Sequence, residues 1–255
     1  MTEAIDPANR SVTILVPVHN EEQTIRPFLE ELYAKCLSRL TDFEVLMMED
    51  GSKDLTPQVL QECEKAYPNL RAVIAPKPIG YRASVTNGIS MASKEWILLM
   101  DGDGQIEPED IWQFLCCSEC NDLVIGEKFP RCDGWMRIII SRLFDIATDI
   151  ILGISLRDIN FGFKLMRADT AKQLAPKCGR LGEIYSAELV IRFVYAGCRM
   201  QQLRVRHRNR FLGTRSTGMP KHKIIPKAVV AYRGLLRLRR ELDGMSPVDS
   251  RTVKN

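Results

Sequence analysis

The stretch WILLMDGDGQ, residues 96–105, joins an apolar run to two aspartates that a single glycine separates. Residues 96–100 form a short apolar run, which is typical of a strand buried in a sheet. Because successive strand residues point to opposite faces, Asp101 and Asp103 would share one side. Carboxylates this close repel each other unless a cation lies between them. The stretch therefore predicts a cation site at the end of a buried strand, or else a solvated turn.

Strands and helices alternate on either side of this stretch. We expect strands at 12–18, 43–48, 71–75, 96–100 and 122–125, and helices at 21–40, 56–67, 82–92 and 109–116. Such alternation indicates an α/β fold whose parallel sheet is covered by helices on both faces. Ligands of these sheets bind beyond the carboxyl ends of the strands, where the HNE, EDGS and DGDGQ motifs lie.

The second half of the chain has a different pattern. We expect a helix at 135–152, a strand at 159–166, a helix at 184–195 and a strand at 200–205. Polar residues of the first of these helices recur every four positions and form one stripe: Arg137, Ser141, Asp145 and Asp149. The apolar residues of that helix fit either packing in the core or docking on an anionic bilayer.

Basic residues are concentrated towards the end of the chain. Residues 199–240 contain thirteen Lys and Arg but no Asp or Glu, although the net charge of the chain is only +4. Such a segment suits a nucleotide, nucleic acid or anionic lipid as partner, or is a solvated face. Within it we expect a basic loop at 207–223 and a basic amphipathic helix at 224–240. Three arginines share one face of this helix: Arg233, Arg237 and Arg240.

The composition narrows the class of protein. The chain has 255 residues, 45% of them hydrophobic, which suits one large domain. It contains no run near the roughly 18 apolar residues of a membrane span and no signal-peptide stretch, so we expect an intracellular protein. No GxGxxG or GxxxxGKS/T motif is present, which argues against a dehydrogenase and an ATPase. The eight cysteines are expected to be reduced, and the Cys117–Cys120 pair lacks the partners that zinc requires.

The strand-end motifs contain groups suited to a nucleotide. Mg²⁺ binds a few carboxylates together with phosphate oxygens, so a nucleotide diphosphate would complete a cation site at DGDGQ. Gln105 could add a neutral oxygen to this site, and Asp50 could accept hydrogen bonds from a base or ribose. His19 has no triad partner nearby, so we expect a binding or packing role rather than general-base catalysis.

Eight motifs follow one another along the chain. The first four are ILVPVHNEE (14–22), LMMEDGSKD (46–54), IGYRASVTNGI (79–89) and WILLMDGDGQIEPEDI (96–111). The later four are VIGEKF (124–129), RIIISRLFD (137–145), RDINFGFKLMR (157–167) and RHRNRFLGTRS (206–216). In this order they resemble family 2 glycosyltransferases with the GT-A fold, over residues 11–217. The later motifs resemble the dolichol-phosphate mannose synthase group of polyprenyl-phosphate glycosyltransferases.

The resemblance implies a mixed, mainly parallel sheet with helices on both faces. This GT-A domain would span residues 11–222. A flexible N-terminus at 1–10 would precede it, and a basic amphipathic helix and tail at 223–255 would follow it.

The resemblance also implies a role for each matching residue. The nucleotide-sugar would contact Pro17, His19, Glu21, Asp50, Arg82, Asp101, Asp103, Arg210 and Ser216. A Mg²⁺ or Mn²⁺ ion would be held by Asp101, Asp103 and Gln105. The acceptor phosphate would be held by Lys128, Arg137 and Ser141, and the catalytic residues would be Asp103, Arg210 and Asp158. The chain departs from the family pattern at three of its positions: His19 replaces an aromatic residue, Glu49 an aspartate and Lys128 an arginine.

The implied reaction is the inverting transfer of a hexose, with mannose favoured, from a nucleotide-diphospho-sugar to a polyprenyl phosphate of the dolichyl type. GDP-mannose is the expected donor and a UDP-sugar the alternative. A glycan hydroxyl acceptor would instead require a base such as Asp158 or His19. We expect a cytoplasmic protein, peripheral at the cytoplasmic face of a membrane and held there by the membrane surface or by a membrane partner subunit.

Two other classes of protein explain less of the sequence. A nucleotide-sugar pyrophosphorylase needs a glycine-rich loop after the first strand, and VPVHNEE is not one. A nucleic-acid-binding protein would use the basic segment but leaves DGDGQ unexplained, because carboxylates repel phosphates without a metal. We therefore expect no nucleic-acid partner.

Overall fold

A computed structural model describes residues 6–132, 134–182, 184–209 and 221–244, with the side chains of the last segment described from residue 229. The strands within these residues are β1 Ser11–Val18, β2 Asp42–Glu49, β3 Leu70–Ile74, β4 Trp96–Leu99, β5 Leu123–Lys128, β6 Lys164–Arg167 and β7 Met200–Val205. The helices are α1 Ile25–Lys35, α2 Thr56–Ala66, α3 Tyr81–Met91, α4 Asp110–Cys117, α5 Trp135–Leu152, α6 Ala168–Leu174, α7 Tyr185–Tyr195 and α8 Lys221–Glu241. Short 3₁₀ helices lie at Pro7–Asn9, Leu37–Arg39 and Ala175–Lys177.

The strands form one mixed, mainly parallel sheet in the order β3-β2-β1-β4-β6-β5-β7. β1 pairs in parallel with β2 and β4, β2 with β3, and β5 with β7. β6 runs antiparallel to both of its neighbours, β4 and β5. The expected α/β class and the mixed, mainly parallel sheet are confirmed.

Helices cover both faces of the sheet, which explains why its strands are apolar without alternation. Ile14 and Val16 of β1 pack in a core cluster that includes residues of α1, α2 and α4. Leu15, between them, packs in a second cluster that includes residues of α3, α6, α7 and α8. A strand buried on both sides has few positions for a polar side chain. The apolar runs of the sequence predicted the strands for this reason.

The helix expected at 21–40 is wrong at both ends, because α1 begins at Ile25 and ends at Lys35. Residues before α1 hold the neighbouring chain instead of continuing the helix. The Glu22 carboxylate accepts a hydrogen bond from the Leu55 N–H at 2.8 Å. At the other end the chain turns into the 3₁₀ helix Leu37–Arg39. Tertiary contacts thus shorten a helix that the apolar spacing alone extends.

The strand expected at 159–166 begins only at Lys164. Asp158 has a positive φ of 49°, and the Phe161 N–H donates to the Asp158 carbonyl oxygen at 2.7 Å, so the chain turns there. The helix α6, directly after β6, was not predicted. Its seven residues are too few to show a clear helical period.

The helix expected at 135–152 is confirmed as α5, but its apolar residues do not all pack in the core. Asp145 and Thr148 are buried, whereas Leu143 and Ile146 are exposed. Core packing alone therefore does not account for the apolar composition of α5, which packs against α8. None of the helices in the described part of the chain is long and apolar enough to cross a membrane.

A buried ionic network joins α7 to α8. Glu188 of α7 is fully buried and accepts hydrogen bonds from the N–H groups of Gly179 and Leu181, both at 2.9 Å. Arg192 Nη2 lies 2.9 Å from Glu188 Oε1 and 3.0 Å from Glu241 Oε1 of α8. The last turn of α8 is thereby fixed to the core.

Replacing Arg192 with alanine should lower the free energy of unfolding by about 3–5 kcal/mol, because Glu188 then stays buried without its cation. The matched control is Arg199→Ala, which removes the more exposed Arg199–Asp122 pair and should cost at most about 1 kcal/mol. Urea unfolding followed by circular dichroism measures both. Equal losses for the two variants would contradict a structural role for the network.

Candidate active site

Three neighbouring parallel strands bring their carboxyl ends to one edge of the sheet. Between β1 and β2, the Asp50 N–H donates to the Val18 carbonyl oxygen at 2.9 Å. Between β1 and β4, the Met100 N–H donates to the Leu15 carbonyl oxygen at 3.1 Å. His19 follows β1, and its Nδ1 lies 2.8 Å from the Asp50 carbonyl oxygen. The HNE, EDGS and DGDGQ motifs consequently lie at the same edge of the sheet.

The Asp50 carboxylate holds the loop that leads into α3. It accepts hydrogen bonds from the N–H groups of Ile79 at 2.6 Å and Gly80 at 3.0 Å. Gly51 allows this loop to approach, because its φ is 60° and a Cβ there would lie 2.3 Å from the Lys77 carbonyl carbon. Asp50 therefore shapes this side of the edge through its backbone contacts.

Three other residues assigned to the nucleotide-sugar also have contacts within the protein. Glu21 Oε2 accepts a hydrogen bond from the Thr24 hydroxyl at 2.6 Å. Arg82 is exposed on α3, and its Nη1 donates to the Cys178 carbonyl oxygen at 3.2 Å. Pro17 lies within β1. Their contact with a nucleotide stays a prediction.

The DGDGQ turn buries one aspartate and packs the other against a glycine. Asp103 is 6% exposed, and its Oδ1 accepts a hydrogen bond from the Gln105 N–H at 3.1 Å. Asp101 is half-buried. A Cβ added to Gly162 would lie 2.8 Å from both carboxylate oxygens of Asp101, closer than a side chain can approach without displacing them. A side chain at position 162 would therefore have to displace the Asp101 carboxylate.

Asp101, Asp103 and Gln105 offer oxygen ligands for a hard divalent cation. Two carboxylates and an amide oxygen fit Mg²⁺ or Mn²⁺, which complete their coordination with water or phosphate oxygens. Within the residues that the structure describes, no group of three or more His, Cys, Asp or Glu side chains could hold a metal ion.

The basic segment after β7 is joined to the DGDGQ turn. The Arg208 N–H donates to the Gln105 carbonyl oxygen at 2.9 Å, and the Gln105 side-chain amide donates to the Arg208 carbonyl oxygen at 3.3 Å. The Arg208 guanidinium also donates to the Gly104 carbonyl oxygen at 2.5 Å. Arg210 and Ser216, which were predicted to contact the nucleotide-sugar, lie outside the described residues. The segment that leads to them begins beside the predicted cation site.

Two of the three residues predicted for the acceptor side, Lys128 and Ser141, contact Asp158. Its buried carboxylate accepts hydrogen bonds from the Lys128 N–H at 3.1 Å and from the Ser141 hydroxyl at 3.2 Å. The Arg131 guanidinium forms an ion pair with Asp158 and donates to the Ser141 hydroxyl at 3.3 Å. Asp158 therefore links the end of β5, the following loop and α5.

Two cations border this cluster. Lys128 Nζ lies 4.8 Å from the centroid of the Phe161 ring, within the range of a cation–π contact. Arg137 is exposed on α5, one helical turn before Ser141. The structure thus brings Lys128 and Ser141 together through Asp158 and places Arg137 on the same helix as Ser141.

The sequence did not assign Arg131 or Asp145 to the site. Asp145 Oδ2 accepts a hydrogen bond from the Asp158 N–H at 3.1 Å, and burial raises the pKa of Asp145 to about 6. Asp145 belongs to the polar stripe of α5 that the sequence predicted, so the sequence contained an indication that this residue shares a side of the helix with Ser141. Arg131 lies in a loop, where no periodic pattern and no motif of the sequence distinguishes it from an ordinary solvent-exposed arginine.

Lys164, the first residue of β6, is a third site residue that the sequence did not reveal. Its Nζ is buried and donates to the Ser186 hydroxyl at 2.7 Å and to the Phe161 carbonyl oxygen. Burial lowers the pKa of Lys164 to about 7, although the carboxylates of Asp101 and Asp158 oppose this shift. Carboxylates from the cation-site turn and from the acceptor-side cluster therefore both act on this buried amino group. A lysine inside the apolar run FGFKLM was its only signal.

Replacing Gly162 with alanine should weaken Mn²⁺ binding at least about tenfold, because the added methyl group displaces the Asp101 carboxylate, and losses of this size follow displaced groups around metal sites. Gly134→Ala is the control, since a Cβ at Gly134 meets no atom within 4 Å. Titration calorimetry with Mn²⁺ and a nucleoside diphosphate compares the variants. Unchanged binding by Gly162→Ala would contradict the expected displacement of a metal-binding Asp101.

Comparison with known proteins agrees with this arrangement. Residues 13–174 match the family described as Glycosyl transferase family 2. Dodecaprenyl-phosphate galacturonate synthase from Rhizobium johnstonii is 32% identical over 170 residues, which cover 64% of this chain and 49% of that protein. Undecaprenyl-phosphate 4-deoxy-4-formamido-L-arabinose transferase from Pseudomonas fluorescens is 28% identical over 149 residues, 58% of this chain and 44% of that protein. The chain thus spans about half the length of these curated relatives, which are polyprenyl-phosphate sugar transferases.

Solved structures share the fold at low identity. Glucosyl-3-phosphoglycerate synthase from Mycobacterium tuberculosis, in complex with Mn²⁺, UDP and glucosyl-3-phosphoglycerate, has a TM-score of 0.67 and 16% identity, covering 91% of this chain and 81% of that chain. This likeness confirms the GT-A type of α/β fold. Because the family match extends over well more than half of the residues, the chain belongs to glycosyl transferase family 2.

Proposed function

We propose that the chain transfers a hexose, with inversion, from a nucleotide-diphospho-sugar to a polyprenyl phosphate. The observation that carries the proposal is the short stretch of chain that connects the carboxylates of the cation-site turn with the hydrogen-bonded cluster around Asp158. Asp101 packs on Gly162 in the cation-site turn, and Asp158, four residues before Gly162, holds Lys128 and Ser141. A carboxylate pair suited to a metal and a diphosphate thus lies beside groups suited to a second phosphate.

The donor would bind at the carboxyl ends of β1, β2 and β4. His19 and Asp50 would lie at its base and ribose, and Asp101, Asp103 and Gln105 would hold a divalent cation against its diphosphate. When bound, such a cation offsets the negative charge that develops on the leaving nucleotide diphosphate. Arg210 and Ser216 would close over the diphosphate from the segment that Arg208 fixes beside the turn. We also propose that Pro17, Glu21 and Arg82 contact the donor.

The donor is proposed to be GDP-mannose or a UDP-sugar. The resemblance to dolichol-phosphate mannose synthases supports the first. The Mycobacterium tuberculosis synthase, whose structure contains Mn²⁺ and UDP, supports the second, as well as a role for Mn²⁺ or Mg²⁺.

The acceptor side favours a phosphate over a glycan hydroxyl. A phosphate is already anionic near neutral pH, so it needs positioning and no general base. Asp158, the candidate base for a hydroxyl acceptor, is engaged with Arg131, Ser141 and the Lys128 N–H, which suits a positioning role. Lys128, Arg137 and Ser141 would hold the acceptor phosphate. The names of the two polyprenyl-phosphate relatives support the same class of acceptor.

A lipid-linked acceptor also sets where the protein would work. We propose a cytoplasmic protein, peripheral at the cytoplasmic face of a membrane or held there by a membrane partner subunit. Binding of nucleic acid has no support from the site: Arg208, in the basic segment, forms ion pairs with Glu31 and Glu107.

The donor proposal predicts a metal-dependent thermal stabilisation by one nucleotide base. With Mn²⁺, either GDP or UDP should raise the melting temperature of the wild type, and Asp103→Asn should reduce the affinity at least about tenfold because a ligand of the cation is lost. Asp169→Asn, which neutralises an exposed aspartate at the start of α6, should bind like the wild type. If neither base stabilised the wild type with Mn²⁺ or Mg²⁺, the proposed donor class would be excluded.

The acceptor proposal predicts a separate defect in variants of the Asp158 cluster. Lys128→Ala and Ser141→Ala should each raise KM for a polyprenyl phosphate about tenfold, the loss expected for one charge-assisted hydrogen bond, while nucleotide affinity stays unchanged. Lys172→Ala, on the exposed side of α6, is the control. Transfer from a radiolabelled donor to a polyprenyl phosphate or to a soluble glycan measures this. Transfer to the glycan alone would overturn the choice of acceptor.

A further inference from the structure

Helix α5 exposes several large apolar residues to solvent and buries two of its polar residues. Asp145 and Thr148 are buried, whereas Trp135 is 71%, Leu143 61% and Ile150 80% exposed. A surface helix of a soluble domain ordinarily has the opposite arrangement, with its apolar stripe towards the core. Something other than core packing must therefore account for the apolar side of α5.

The inward polar side of α5 is explained by the site. Ser141 donates to Asp158, and Asp145 accepts from the Asp158 N–H. The outward side has no such role among the described residues. Its large apolar residues recur every three or four positions and so form one stripe along a helix of roughly 27 Å. The members of the stripe are Trp135, Ile139, Leu143, Ile146 and Ile150. An exposed apolar stripe of this size marks a surface that binds another apolar surface.

Helix α8 extends this pattern. It packs against α5, and it buries Leu235 and Leu238 in the core. On its other side it exposes Tyr232 and Leu236. The exposed arginines of these two helices are interspersed with the apolar residues: Arg137, Arg142, Arg233, Arg237, Arg239 and Arg240.

We infer that the α5–α8 face, defined by Trp135, Leu143, Ile146, Ile150, Tyr232 and Leu236, docks in the headgroup region of an anionic lipid bilayer. Apolar side chains with arginines between them match the acyl boundary and the negative headgroups of such a surface. A symmetric contact between two copies of the chain would instead bring like arginines together. The charge therefore favours lipid over a second copy as the occupant of this face.

Docking in this way orients the site. Ser141 lies on the inward side of the same helix whose outward side meets the lipid, and a helix with its side chains is only about 10 Å across. The phosphate of a membrane-embedded acceptor would have to rise by about this distance to reach Ser141 and Lys128. This consequence rests on the proposed function, whereas docking itself does not.

Flotation of the full chain with vesicles of neutral phosphatidylcholine, with or without anionic phosphatidylglycerol, tests the inference. The wild type should bind the anionic vesicles at least about tenfold more tightly, because several arginines contribute. Leu143→Glu and Ile150→Glu should each reduce this binding about tenfold or more. Leu55→Glu is the matched control, because Leu55 is 60% exposed but lies before α2, and it should bind like the wild type. Arg237→Glu should reduce binding to anionic vesicles only.

Three results would overturn the inference. Absence of wild-type binding to any vesicle would show that lipid alone is not the occupant and would favour a membrane partner subunit. An equal effect of Leu55→Glu and Leu143→Glu would show that the face is not involved. A dimer in light scattering that Leu143→Glu dissociates would assign the face to a second copy. Transfer to a short, water-soluble polyprenyl phosphate needs no vesicle, so failure of the proposed function remains distinguishable from failure of docking.

Discussion

The arrangement of the site depends on the contacts of one buried carboxylate, that of Asp158. It joins the Lys128 N–H at the end of β5, Arg131 in the next loop and Ser141 on α5. A buried carboxylate is stable only when cations and donors surround it, so these three elements are held together by the need to satisfy one charge. Because Asp158 adopts a positive φ, the same residue also turns the chain back towards β6.

The short chain between Asp158 and Lys164 couples the two halves of the site. Gly162 lets this chain approach Asp101, and Phe161 faces the Lys128 amino group. Lys164 adds a buried amino group to this part of the chain. Desolvation lowers the pKa of this group, whereas the carboxylates of Asp101 and Asp158 raise it. The seven residues from Asp158 to Lys164 thus connect the donor-side and acceptor-side groups directly, in addition to the pairing of β6 with β4 and β5.

The sequence predicted the strands because both faces of the sheet are covered, and it placed the three strand-end motifs at one edge because those strands are parallel neighbours. It could not predict Arg131 or Lys164, because their roles arise from contacts with residues distant in sequence. The predicted limits of α1 were wrong for a related reason. The Glu22 carboxylate accepts a hydrogen bond from the chain before α2, and the helix begins only after this residue. The polar stripe of α5 was visible in the sequence, but whether the other side of that helix faced core or solvent depended on tertiary packing.

The antiparallel strand β6 divides the sheet into two parallel blocks, β3-β2-β1-β4 and β5-β7. Only its four residues, Lys164–Arg167, bond the two blocks together within the described sheet. A fragment ending before residue 164 would lack β6 and β7. One edge of β4 would be unpaired and β5 would have no neighbouring strand, so each could pair with a second chain. The smallest unit of this chain expected to fold as one body must therefore extend beyond the cation-site motif and include β6.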